Sequence, residues 1–176
     1  PFKNFNIKTQ VSGDLYNANV KDIGLPSYPY GSGSGYVNRS NTNDYTITYT
    51  NTMDYQWTLN DTHNFYVLTG HESVMYRYDA FSASKSGQTN DLMMTLDNGT
   101  GTPSVSDSAS EYAFNSAFGR IEYNYAKRYF FDASVRYDES SRFGKANRGA
   151  VFYSAGFMWD AKAEKFMENA TWLNSL

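Results

Sequence analysis

Four carboxylates stand where paired acid–base chemistry would be sought. Asp138 and Glu139 are adjacent, while Glu122 and Asp132 lie on two neighbouring segments of alternating polarity. Glycoside hydrolysis needs two such groups about 5–9 Å apart beside a sugar cleft. A simpler role is open to them. Arg120 and Arg136 occupy the same alternate positions as Glu122 and Asp132, so Arg120, Glu122, Asp132 and Arg136 read as a charge network on a wet face. His63 and His71 are the only histidines and there is no Cys, so neither a metal site nor a thiolate is expected. Gly-x-Ser-x-Gly, phosphate-loop and His-Glu-x-x-His patterns do not occur. Gly31-Ser32-Gly33-Ser34-Gly35 lacks the Lys and helix start of a phosphate cradle and reads as a flexible loop. The expectation is therefore no enzyme, no cofactor and no metal. Tyr28, Tyr30 and Tyr36, in a Gly- and Pro-rich stretch, are the candidate ligand contacts, because amphipathic rings stack on sugars. The same rings would equally serve to order a long loop.

These residues ride on segments with a period of two. From Tyr129 the odd positions read Tyr129, Phe131, Ala133, Val135 and Tyr137, and the even ones Phe130, Asp132, Ser134, Arg136 and Asp138. Alternation of this kind is a strand with one apolar and one wet face. It recurs to give six strands, at about 4–16, 45–59, 64–78, 112–125, 129–138 and 150–160. Short turns separate the second from the third and the fourth from the fifth. Long polar loops are expected at about 19–44, 80–110 and 139–149, and a helical turn at 162–168. In the third strand Tyr66, Leu68, Val74, Tyr76 and Tyr78 are taken as the apolar set, with Glu72 among them. Because odd residues are apolar on both sides of the turn near Lys127, paired positions there sum to an even number, which excludes a two-residue turn. The register opposing Arg120 to Asp132 is favoured, since the next one sets Glu122 against Asp132.

Composition bounds the partner of the apolar face. The chain has 176 residues, 18% of them aromatic and 19% charged, with a net charge of −3. That balance argues against a nucleic-acid binder, which would carry a clustered basic face. No window approaches the ~18 uninterrupted apolar residues of a membrane helix. Two homes remain for such strands. One is a soluble carbohydrate-binding β-sandwich, with the apolar faces folded together. The other is a membrane barrel, with lipid outside and a polar lumen inside. Three features favour lipid: the predicted strands exceed the ~5–6 residues usual in soluble sheets, short turns alternate with long loops, and Tyr and Trp gather near strand ends.

Specific runs of residues point the same way. Phe118-Gly119-Arg120, Tyr123-Asn124-Tyr125, Arg128-Tyr129 and the stretch from Ala133 to Gly144, centred on Arg136-Tyr137-Asp138 and Arg142-Phe143-Gly144, strongly resemble a signature of SusC/RagA-type TonB-linked outer-membrane receptors of Bacteroidetes. His63 to Glu72, Glu164-Lys165-Phe166-Met167 and Trp172-Leu173-Asn174 support the resemblance, which covers the chain and is strongest after Asn64. It implies an all-β, antiparallel up-and-down meander of six long strands, a segment of a 22-stranded transmembrane β-barrel in the bacterial outer membrane. It also implies TonB-energised import of oligosaccharides or peptides, with a SusD-like surface lipoprotein as partner. Six strands cannot close so wide a barrel. The chain is thus expected to be a fragment of a longer protein, without its plug, its TonB-contacting segment or its signal peptide.

Overall fold

The computed structural model describes residues 4–28 and 33–167. Six strands follow in order: β1 (Phe5–Gly24), β2 (Gly35–Leu59), β3 (His63–Gln88), β4 (Ser104–Tyr125), β5 (Tyr129–Ser140) and β6 (Gly149–Trp159). They form one sheet in sequential order, an antiparallel meander. Among the described residues no second sheet packs on this one, so the face-packed sandwich does not describe them. Contacts gather the residues into two compact units. One holds Pro1–Ser12, Thr48–Val74 and Ala113–Leu176, the other Gly13–Ile47 and Met75–Tyr112.

Four strands run further than the sequence suggests. β1 to β4 have 20, 25, 26 and 22 residues, well beyond the ~9–11 that a tilted membrane strand uses. Much of the expected loops 19–44 and 80–110 is therefore strand, and the connections shrink to 25–34 and 89–103. Asn, Ser and Thr read as loop residues because they compete for local backbone hydrogen bonds. Here cross-strand partners engage them instead. In the second unit Asn17 donates to Asn43, Asn43 to Asn41 (2.6 Å), Asn41 to Asn19 (2.7 Å) and Asn19 back to Asn17 (3.2 Å), a closed ring of four amides. The third connection is 141–148, with a 3-10 turn at Lys145–Asn147. In place of the helical turn at 162–168 stand two 3-10 turns, Ala161–Ala163 and Lys165–Met167; Glu168 lies outside the described residues.

In the first unit the register is explicit. β4 and β5 close on Tyr125↔Tyr129 around a three-residue turn, and the expected parity holds. The expected pairing does not: Arg120 faces Ser134, and Glu122 faces Asp132. Ala126 and Lys127 both take positive φ (50° and 58°), a left-handed turn that fixes the closing pair at the tyrosines. The like-charge pairing is relieved sideways, since Arg120 bonds Glu122 at 3.0 Å along its own strand.

Side chains divide by parity. Odd positions of β4, β5 and β6 align as Ile121↔Ala133 and Gly119↔Val135, then Phe131↔Phe157 and Val135↔Tyr153. Near the short turns an aromatic belt crosses the strands: Phe5–Tyr55, Tyr55–Trp57, Trp57–Phe65 (4.8 Å), Phe65–Tyr123 (4.9 Å), Tyr125–Tyr129 and Tyr129–Trp159. Phe65 belongs to this face, so the apolar side of β3 is the odd one. The expected set Tyr66, Leu68, Val74, Tyr76 and Tyr78 lies on the other side, with Glu72. Aromatic bulk there had outweighed His63, Thr69 and His71 in the hydropathy pattern.

The hydrophobic residues buried among those described are Val37, Met94 and Ala161. Ile7, Val11, Ile121, Val135, Tyr153 and Phe157 are all exposed, Tyr153 by 86%. Fully burying one such side chain is worth about 1.5–3 kcal/mol. An uncovered apolar face of this kind marks a surface that meets a membrane or another protein surface.

One carboxylate secures the end nearest the short turns. Glu164 Oε1 accepts from Tyr129 Oη (2.6 Å) and Trp159 Nε1 (3.4 Å), and Oε2 meets Arg128 Nη1 at 3.4 Å. The Tyr129 hydroxyl, seconded by Trp159 and Arg128, holds the Glu164 carboxyl below its ordinary value of 4.5. A lowered folded pKa contributes stability that is present above the unfolded value and lost as pH falls through the folded one. Glu164→Gln is therefore expected to lower the unfolding midpoint relative to wild type above about pH 5, with the gap shrinking below about pH 4. Denaturant titration across that range checks it, and a gap independent of pH would contradict it.

Candidate functional site

The wet face of the first unit is organised around Arg136 on β5. Its Nε donates to Asp138 Oδ1 (2.6 Å), and its Nη2 donates to Ser116 Oγ (2.9 Å) and Glu72 Oε1 (3.2 Å). Thr50 Oγ1 donates to the other oxygen of Glu72 at 3.2 Å. The network thus links β2, β3, β4 and β5 on their even-numbered side. The guanidinium carbon lies 5.4 Å from the centre of the Phe118 ring, within reach of a cation–π contact. The Phe118 ring in turn fills the space that a Cβ at Gly70 of β3 would need. Arg136 is 42% exposed, so each ion pair contributes less than about 1 kcal/mol. Its value is geometric: a forked cation held by two acids and a ring fixes the wall.

Beside this network opens a cavity of about 580 Å³. Glu72, Asp138 and Glu139 supply negative charge, Arg136 and Arg148 positive charge, and Phe114, Phe143 and Phe152 apolar surface. The connection 141–148 forms its rim and is tied down. Ser141 N donates to Ala113 O (2.9 Å), Ser140 N to Arg148 O (3.0 Å) and Arg148 Nε to Phe143 O (3.2 Å). A second hollow, about 450 Å³, is lined by Tyr66, Leu68, Asn64, Asn124, Arg120 and Glu122 among others. Mixed charge with aromatic walls can hold an extended polar chain. No metal-binding group of His, Asp or Glu occurs among the described residues.

The four residues expected to form one network are not joined in one. Arg120 pairs with Glu122, whereas Arg136 is joined by Glu72, Ser116 and Asp138. Asp132, opposite Glu122 and Gly156, is in no ion pair among the described residues. Glu72 was the missed partner, and its signal was available: a carboxylate does not belong in an apolar set. Of the candidate ligand tyrosines, Tyr28 is exposed in the connection 25–34. Tyr36 stands within β2, its ring against Gly24, and is a strand residue rather than a loop one. Tyr30 lies outside the described residues.

Residues 2–172 match the family model described as TonB dependent receptor-like, beta-barrel. The chain belongs to this family of β-barrels. It is 33% identical over 110 residues to TonB-dependent receptor P3 of Formosa agariphila, and 30% identical over 133 residues to TonB-dependent receptor P39 of the same organism. These alignments cover 61% and 72% of the chain but only 11% and 12% of the relatives. TonB-dependent receptor SusC of Bacteroides thetaiotaomicron is 41% identical over 61 residues, 35% of this chain and 6% of that protein. Among solved structures, the RagAB peptide transporter superposes with a TM-score of 0.91 at 34% identity, over 96% of this chain and 19% of the matched one. The same transporter's open-open state gives 0.90. The chain therefore spans a small part of each protein it resembles.

The Gly70–Phe118–Arg136 stack generates a direct test. Gly70→Ala drives Phe118 off its seat, and overpacking of this kind costs about 1–3 kcal/mol. In the Gly70→Ala/Phe118→Ala double variant the added methyl meets no ring. The two substitutions should therefore couple favourably by more than about 0.5 kcal/mol in denaturant unfolding of the receptor; simple additivity would contradict the stack.

Proposed function

We propose that this chain is part of the wall of an outer-membrane, TonB-dependent active transporter that imports oligosaccharides or peptides. The observation that carries the reading is a single sheet with one uncovered apolar side and, opposite it, a charged and aromatic side built around Arg136. In this reading the odd face meets lipid and the even face lines a water-filled lumen. The short turns 60–62 and 126–128 face the periplasm, and the longer connections project outward. Arg120, Glu122, Asp132 and Arg136 order the lumen wall, while Tyr28, Tyr30 and Tyr36 contact substrate near the outer surface. The import partner is a SusD-like surface lipoprotein, TonB supplies energy through regions beyond this segment, and no chemical conversion occurs. Membership of the receptor barrel family supports this reading, as does the likeness to SusC and to the RagAB peptide transporter.

The test is made on the receptor that carries this chain. It should fractionate with the outer membrane and migrate as a compact band that shifts on boiling. Its deletion should abolish growth on one oligosaccharide or peptide source and spare growth on free monomers. A soluble receptor without a heat-dependent shift, or a deletion strain that grows normally on every polymer offered, would overturn it.

A further inference from the structure

The second unit carries a feature that substrate import does not use. The register that pairs Asn17 with Asn43 and Asn19 with Asn41 places Lys21 of β1 beside Arg39 of β2 on the same odd-numbered face. Both line a hollow of about 200 Å³, with Asn19, Asn41 and Phe81. Like charges facing each other across strands destabilise a sheet. Here neither cation has a carboxylate within 4 Å among the described residues. Asp79, on the same parity of β3, does not pair with either one.

The neighbourhood tells what would complete the pair. On this face of the unit, the exposed Leu15, Ile47 and Met75 come first. The amide ring follows along β1 and β2, then the two cations. Each amide in the ring uses one N–H and one carbonyl lone pair on its neighbours, which leaves the other N–H and lone pair of each for hydroxyl groups. Phe81, 47% exposed, offers a flat apolar surface of the kind on which sugar rings stack. Apolar surface, amides and paired cations, in that order along one face, match acyl chain, sugar and phosphate. The geometry points to a binding site for the phosphorylated sugar of an anionic outer-leaflet glycolipid, with Lys21 and Arg39 on the phosphate and the Asn17–Asn19–Asn41–Asn43 ring and Phe81 on the sugar.

The inference rests on the membrane reading above, which heat-modifiable migration checks separately. The receptor carrying this chain is reconstituted in nanodiscs with purified lipopolysaccharide, repurified, and its retained glycolipid measured by mass spectrometry. Lys21→Gln/Arg39→Gln should retain roughly thirtyfold less than wild type, about fivefold for each cation at a charged lipid surface. Lys21→Arg/Arg39→Lys should retain as much as wild type, and enzymatic removal of phosphate from the glycolipid should reproduce the loss. Inorganic phosphate, which lacks acyl chains and sugar, should not displace the glycolipid. Equal retention by wild type and the double Gln variant in heat-modifiable protein would overturn the site. Displacement by inorganic phosphate would overturn its assignment to a lipid.

Discussion

An apolar sheet face that no other part of the described chain covers is the constraint on which the structure depends. In most domains the hydrophobic residues of one element are buried by another. Among the described residues only Val37, Met94 and Ala161 are buried apolar ones, while Ile7, Val11, Val135 and Phe157 stay open. What stabilises that face must therefore come from outside the described residues. Lipid meets that requirement, and it further demands that every backbone group find its partner in a neighbouring strand. Sequential antiparallel order is the simplest way to meet it. The aromatic belt from Phe5 to Trp159 suits the boundary where such a medium gives way to water.

Opposite the uncovered apolar face, order among the side chains falls to the even-numbered one. The even-numbered side supplies this through contacts that are individually weak. Arg136 is too exposed for its ion pairs to dominate stability, yet it touches two acids, a hydroxyl and a ring drawn from β3, β4 and β5. Gly70 makes that arrangement possible by giving up its side chain to Phe118. The face gains definition from geometry rather than from burial, which suits a surface that stays in contact with water.

Alternation made the fold class and the parity of the β4–β5 hairpin legible in the sequence. Register was not, because Ala126 and Lys127 form a left-handed turn without the Asn-Gly or Gly signals that usually mark one. The sidedness of β3 was not legible, because Tyr66 and Leu68 lie on the side of Glu72, while His63 and Thr69 share the apolar one. There Tyr66 and Leu68 line one hollow with Arg120 and Glu122. The far halves of β1 and β2 read as loop because Asn is a poor strand former alone. Joined in a ring, Asn17, Asn19, Asn41 and Asn43 support the strands. In the site, positional parity found Arg136, but no pattern within one strand could reveal that Glu72 reaches it from 64 residues away.

The central claim is that odd and even side chains of one strand meet different solvents. Single nitroxide labels placed at each position from 129 to 138, in the receptor reconstituted in lipid, measure this directly. The account predicts relaxation by oxygen, which concentrates in lipid, at 129, 131, 133, 135 and 137, and relaxation by a water-soluble nickel chelate at the even positions between them. Accessibilities that do not alternate, or odd positions shielded from both reagents as in a folded core, would contradict it.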